Sequence, residues 1–180
     1  MKTREQKVKE FMEMMLQTPS VTPGTTPLKM RQLAIKLTFE ELRELATALD
    51  VEGTFTELSE AAVAYSELTE DGLKDGNVID ELEVIDAFGD IAFTNLWGVV
   101  MTGCEPTFDG AFNEICRSNN SKACTTLEEA KESQEYYAKS GTEIKIIPNG
   151  NYFILNDENG KVKKSINYSP ASLEKYVPTK

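Results

Sequence analysis

ELEVIDAFGD, residues 81–90, runs without a break into IAFTNLWGVVM, residues 91–101. The first half carries Glu81, Glu83, Asp86 and Asp90; the second carries no charge. At about 100° of turn per residue, Glu83, Asp86 and Asp90 fall within about 60° of one another on a helix, and Glu81 points the other way. The same strip continues through Thr94 and Trp97, while Val84, Ala87, Phe88 and Ile91 fill the adjoining sector. An acidic strip that borders apolar surface predicts a central helix over about 77–102 with its carboxylates facing inward, closed by Gly103 and Pro106.

LTFEELREL, residues 37–45, repeats the pattern upstream. Met30, Leu33, Ala34, Leu37, Leu45 and Ala48 make one apolar stripe at helical period. Glu41 and Glu44 fall inside that stripe, and Glu40 lies on its edge. Two helices that each place an i,i+3 carboxylate pair on the buried side can oppose the pairs across an interface. Buried, unpaired carboxylates are costly, so such a cluster calls for a cation. Oxygen-only ligands select a hard ion, Mg²⁺ or Mn²⁺. For a single pair, ordinary solvated acids are the simpler account; two pairs in register with apolar stripes favour the metal.

Composition narrows the chemistry further. The chain has 180 residues and 40% hydrophobic content, enough for one globular domain with a real core. Nineteen Lys+Arg against thirty Asp+Glu leave a net charge of −11, which argues against nucleic-acid or anionic-membrane partners. MKTREQKVKEFMEMML alternates charge with Val8, Phe11, Met12, Met15 and Leu16, so it reads as an amphipathic helix rather than a leader. With no run of about 18 apolar residues either, the expectation is a soluble, cytoplasmic chain. Cys104, Cys116 and Cys124 form no CxxC pair and read as reduced, mostly core thiols. Histidine is absent. That removes Ser/His/Asp and Cys/His nucleophiles, HExxH zinc peptidases, zinc deaminases and Glu-x-x-His di-iron bundles, so any catalysis rests on carboxylates.

Along the chain, helices are expected over about 4–17, 28–50, 107–123 and within TLEEAKESQEYYAKSG, where Thr126 caps and Gly141 stops. TPSVTPGTTP, residues 18–27, is a linker, and TELSEAAVAYSELTE, residues 56–70, is a shorter helix ended by DG turns. The tail, EIKIIPNGNYFILNDENGKVKKSINYSP, has β-rich runs separated by PNG and ENG, which predict short hairpin strands. The expected architecture is an all-α bundle of four or more helices with a small C-terminal β-hairpin. It forms one domain over 1–180: N-terminal helix and linker to 27, helical core 28–141, hairpin and tail 142–180.

EELRE at 40–44 and EVIDAFGD at 83–90 resemble the EExxE and ExxD motifs of the all-α nucleoside triphosphate pyrophosphohydrolase superfamily, the MazG-like and phosphoribosyl-ATP pyrophosphohydrolase-like proteins. RSNNSK at 117–122 is similar to an RSNMSK-type stretch, and GKVKKSINYSP at 160–170 to a GKVxKxxNYSP-type tail, of a MazG-like subgroup common in bacteria and their phages. The resemblance runs from about residue 28 to the end, and four motifs in order are far more specific than EExxE alone. Asn120 replaces the usual Met, and the stretch 56–76 looks inserted relative to the family.

The resemblance implies that Glu41, Glu44, Glu83 and Asp86 hold Mg²⁺, with Glu40 a further ligand or the residue that positions water. It implies Asn119 and Lys122 near the nucleotide. Helical spacing puts Asn119 and Lys122 on a face with Phe108, Ala111, Phe112 and Ile115, whereas Arg117 points away. Trp97, two turns beyond Asp90, is a candidate to stack on a base, against the commoner role of a core tryptophan. The implied reaction is Mg²⁺-dependent cleavage of a nucleoside triphosphate to monophosphate and pyrophosphate, by a homodimer or homotetramer. Two rival readings are a nucleotide-sequestering module without turnover and an acidic interaction protein. The last of these predicts exposed carboxylates.

Overall fold

The computed structural model describes residues 2–17, 26–49 and 79–177. It is mostly helical with a small three-stranded antiparallel sheet near the C-terminus, so the chain is not all-α. The helices are α1 (Arg4–Met14), α2 (Leu28–Ala48), α3 (Glu81–Met101), α4 (Glu105–Asn120) and α5 (Leu127–Ala138). The strands are β1 (Ile144–Asn149), β2 (Tyr152–Asp157) and β3 (Val162–Lys163), in the order β1-β2-β3. A 3₁₀ turn, Glu174–Tyr176, ends the tail. The expected hairpin is β1–β2; the ENG turn adds a third strand to it. The helix expected over 56–70 lies outside the described residues.

By its contacts the chain divides into two compact units, Met1–Pro19 with Ile91–Lys180, and Ser20–Asp90. The boundary falls inside α3.

Local chemistry accounts for the helix ends. Asp80 accepts from the N–H groups of Leu82 and Glu83 at 3.1 and 3.2 Å and starts α3. Gly103, at φ +73°, ends it: Gly103 N–H bonds to Val100 C=O and Cys104 N–H to Val99 C=O, the paired bonds of a Schellman turn. Thr126 caps α5 by accepting from Glu129 N–H at 3.1 Å. The same paired turn closes α5 at Gly141. α1 makes the turn without glycine, because Leu16 takes φ 60° while Leu16 and Gln17 N–H bond to Glu13 and Met12 C=O. Asn149, at the hairpin corner, then donates its amide to the carbonyls of Glu13 and Met14 at 2.8 and 2.9 Å.

The described core lies on the two faces of the small sheet. Successive strand residues point to opposite faces, so Ile154 and Leu155 back onto each other. Ile154 packs with Met14, Met15 and Ala123, flanked by Phe11, Ile147 and Val162. Leu155 packs with Cys124, Ala130 and Ile144, flanked by Tyr137, Ile146 and Phe153. The end of α1 thus covers one face and α5 the other. α1 also lies along α4, with Arg4 paired to Asp109 and Lys7 to Asn113. The order of those pairs shows that the two helices run in the same direction.

Leu16 sets up a stability test. It is exposed, and its left-handed backbone carries a penalty that glycine avoids. Leu16→Gly is expected to raise stability by about 0.5–1 kcal/mol, after allowing for glycine's greater unfolded-state entropy. Asn149→Ala, which strips two hydrogen bonds from the same helix end, is expected to lower it by about 1–2 kcal/mol. Denaturant melts of the two variants check both signs.

Candidate functional site

The two carboxylate pairs stand on the helices the sequence predicted. Glu41 and Glu44 lie on α2, and Glu83 and Asp86 on α3. All four are exposed, as are Glu40 and Asp90, so among the described residues the inward orientation read from the stripes does not hold. Among the described residues no three Asp, Glu, Cys or His side chains gather into a metal-sized group. Glu40 sits 4.0 Å from Lys36, a weak surface pair, whereas no ion pair among the described residues involves the other four predicted ligands.

The apolar stripes beside these acids are exposed too. On α2 only Ala46 is buried, and on α3 nothing is. Phe88, Phe93 and Trp97 are 53%, 70% and 60% exposed. A stripe specifies which face a helix will bury, not which polypeptide covers it. Glu81–Met101 is also long and apolar enough, by length and composition, to cross a membrane, with a mean hydropathy of 1.3. Asp86 and Asp90 interrupt the apolar run without lowering its mean hydropathy below that of a spanning segment.

The other two motifs meet. RSNNSK ends α4, and GKVKKSINYSP returns along it as a strap. Lys122 C=O accepts from Ser165 N–H at 2.9 Å, and Ser118, which is buried, donates its hydroxyl to the Tyr168 phenol oxygen at 3.3 Å. Ser121 Oγ accepts from Ser169 N–H at 2.9 Å. Arg117 forks onto Glu114 at 2.9 and 2.7 Å and reaches the carbonyls of Ser169 and Pro170 at 3.3 and 2.9 Å. Glu114 also accepts from Ser172 N–H at 2.9 Å. The hydrogen bonds from Arg117, then that from Ser172, hold the Glu114 carboxyl down at about 2. At the far end Thr107 donates to Tyr176 C=O at 2.6 Å, and the Tyr176 ring lies so close to Gly110 that a Cβ there would fall 2.5 Å from it.

Lys122 and Arg117 therefore separate as their spacing predicted. Arg117 is spent on the strap, while the half-buried Lys122 donates to Asn119 Oδ1 at 2.7 Å with its ammonium 5.9 Å from the Phe11 ring centre. Lys164 lies 4.1 Å over the ring of Tyr168.

Sequence reasoning missed what anchors the strap to α5. Burial pushes the Glu129 carboxyl up, but hydrogen bonds from Ser165 and Thr125 outweigh it and hold the group below its ordinary value. Ser133 donates to Glu129 C=O at 2.8 Å and accepts from Ile166 N–H at 3.0 Å. The available signal was a pair of serines, Ser133 inside the helix and Ser165 inside the motif. Cys124, buried against Ser133, has its thiol pushed up by burial and is structural. A hollow of about 590 Å³ at the sheet edge, lined by Glu143, Lys145, Asp157 and neighbours, holds none of the motif residues.

Compared with known proteins, the chain matches no family model, no curated protein and no solved structure.

The Glu114–Arg117 fork gives a pH test. Glu114 is depressed on folding, so its contribution is present above the ordinary Glu value of 4.5 and is lost as pH falls toward about 2. Glu114→Gln is expected to melt below the parent at neutral pH, with the gap closing between pH 4.5 and about 2. A constant gap across that window assigns the loss to shape rather than charge.

Proposed function

We propose that the chain is a Mg²⁺-dependent nucleoside triphosphate pyrophosphohydrolase that cleaves a (deoxy)nucleoside triphosphate to its monophosphate and pyrophosphate. The observation that carries the reading is that two of the four resembling motifs, about 40 residues apart in sequence, lie against each other through Lys122–Ser165 and Ser118–Tyr168. The other two occupy helices of the expected kind, and no ion pair among the described residues involves Glu41, Glu44, Glu83 or Asp86.

The donor set fits the ion. Glu41, Glu44, Glu83 and Asp86 offer oxygen only, as a hard cation requires, and they come as two i,i+3 pairs. The chemistry that a bound Mg²⁺ or Mn²⁺ supplies is neutralisation of charge at phosphate oxygens and acidification of water. Glu40 would be a further ligand or the residue that positions the attacking water and accepts its proton, as the new P–O bond forms and the α–β bridge breaks with pyrophosphate leaving. Asn119 and Lys122 hold phosphate, and Trp97 offers a ring for the base.

Exposed carboxylates are what an acidic interaction protein predicts, and that reading stands as the rival. Against it, Glu83 and Asp86 share α3 with exposed Phe88, Phe93 and Trp97, too much aromatic surface for a solvated charge patch. The proposed cover is a second copy of the chain, in a homodimer or homotetramer, where pairs from neighbouring helices meet. A membrane is the weaker cover, because Asp86 and Asp90 lie within the span and each costs about 2.5–3.5 kcal/mol at mid-bilayer. The expected setting is the cytoplasm.

The test is a panel of ribo- and deoxyribonucleoside triphosphates with Mg²⁺, read by product. Monophosphate plus pyrophosphate is expected, abolished by chelator and by Glu44→Gln. Orthophosphate as first product sinks the mechanism, binding without turnover supports the sequestering module, and neither binding nor turnover returns the acids to the interaction reading.

Sedimentation checks the cover. The parent is expected as a dimer or tetramer, and Phe93→Asp as a smaller species that no longer turns over substrate. A monomeric parent that is fully active removes the second copy.

A further inference from the structure

The β1–β2 corner, Asn149-Gly150-Asn151-Tyr152, contains an Asn-Gly step, and the β2–β3 turn contains another, Asn159-Gly160. The two-residue hairpin needs left-handed backbone at its first corner, and Gly150 supplies it at φ +56°. The same glycine makes the step reactive, because it puts no side chain between its nitrogen and the Asn149 amide carbon. In each step one of the two reacting groups is restrained. At Asn149 the backbone nucleophile is open, since Gly150 N–H has no acceptor among the described residues. The amide is what is held, by its bonds to Glu13 and Met14 C=O at 2.8 and 2.9 Å. At Asn159 the arrangement is reversed. Gly160 N–H bonds to Asp157 C=O at 2.9 Å, while the exposed Asn159 amide has no partner among the described residues.

The restraint on Asn149 comes from a distant element. Turning its amide toward the Gly150 nitrogen breaks both bonds to α1, so the reaction waits for the end of α1 to lift. That end is seated by Met14 and Met15 against Ile154 and Ala123, with Phe11 beside them. Conversion of the amide to an acid reverses the sign of the contact. An amide offers two N–H donors to the two carbonyls, whereas a carboxylate offers only acceptors. The new charge also stands at the C-terminus of α1, where the helix dipole favours cations and the last turn holds no basic residue.

We propose that Asn149 is a deamidation site gated by α1, and that its conversion releases the end of α1 from the sheet in one direction only. The Gly150 nitrogen attacks the Asn149 Cγ. A new N–Cγ bond forms, the Cγ–Nδ2 bond breaks, and ammonia leaves with the proton that Gly150 gives up. Water then opens the cyclic imide at either carbonyl, giving aspartate or isoaspartate with no change of oxidation state. While α1 is seated the step is suppressed, and each local opening of that helix end permits it. Asn159 reacts at a rate set by its own turn, so it serves as an internal clock against which Asn149 is read. The inference is independent of the nucleotide reading.

The experiment ages the full-length parent, Phe11→Ala and Leu16→Gly at mildly alkaline pH and follows both Asn-Gly steps by peptide mass mapping. Phe11→Ala loosens the seat of α1 and is expected to speed conversion of Asn149 roughly tenfold or more, with Asn159 unchanged. Leu16→Gly relieves the left-handed leucine at the same helix end and is expected to slow Asn149 below the parent, again with Asn159 unchanged. Should Phe11→Ala fail to fold, both steps accelerate together in it and Leu16→Gly alone decides. An Asn149 rate that is the same in the parent and in every folded variant overturns the gate. The release step is read by tryptic cleavage at Lys7 and Lys9 within α1, in Asn149→Asp and Asn149→Ala. Asn149→Asp is expected to be cut several-fold faster than Asn149→Ala, because the carboxylate repels the two carbonyls while alanine only leaves them unpaired. Equal cleavage of the two variants overturns the release.

Discussion

The unit that holds α1 and the C-terminal half depends on one constraint, the back-to-back burial of Ile154 and Leu155 in β2. Three short strands cannot make a stable sheet alone, and this one is stabilised only because each face carries a helical cover. Alternation fixes the sidedness: a one-residue slip in register would send Ile154 toward α5 and Leu155 toward α1. The antiparallel bridge between Cys124 and Phe153 guards against such a slip, because it ties the end of α4 to the middle of β2. Everything the strap positions, from Ser165 to Tyr176, is placed relative to that junction.

Much of this frame was legible in the residues. Thr126, Gly141 and Gly103 announce helix ends through chemistry that acts within a few positions, and PNG and ENG announce turns the same way. The separation of Arg117 from Lys122 was legible because helical spacing alone decides it. What escaped was non-local. Leu16 in a left-handed turn has no local signal, since the position asks for glycine and tolerates leucine only because Asn149, far along the chain, supports the helix end.

The carboxylates mark a different limit. Periodicity located Glu41, Glu44, Glu83 and Asp86 on the apolar sides of their helices, and that relation holds. It could not say what covers the apolar side, and among the described residues nothing does: Phe93 and Trp97 stand as open as the acids earlier on their helix. A helix can be fully amphipathic and still be half of a site. The same physics that makes an exposed aromatic face costly makes convergent acids costly, so in the proposed homo-oligomer a second copy that covered the first would also bring the second together and call for a cation.

RSNNSK shows how one short motif divides structural and chemical roles. Arg117 and Lys122 are five residues apart at the end of one helix, and both are cations in an acidic chain. Arg117 has the planar fork that suits Glu114 and two carbonyls at once, and those partners use it up. Lys122 has a single ammonium on a flexible stem, held by an amide oxygen and an aromatic face, neither of which cancels its charge. The guanidinium fixes the strap, and the strap bonds through Ser165 N–H to the Lys122 carbonyl, which leaves the ammonium its positive charge. In a protein with a net charge of −11, a residual positive charge of that kind is what the proposed anionic substrate would need where it binds.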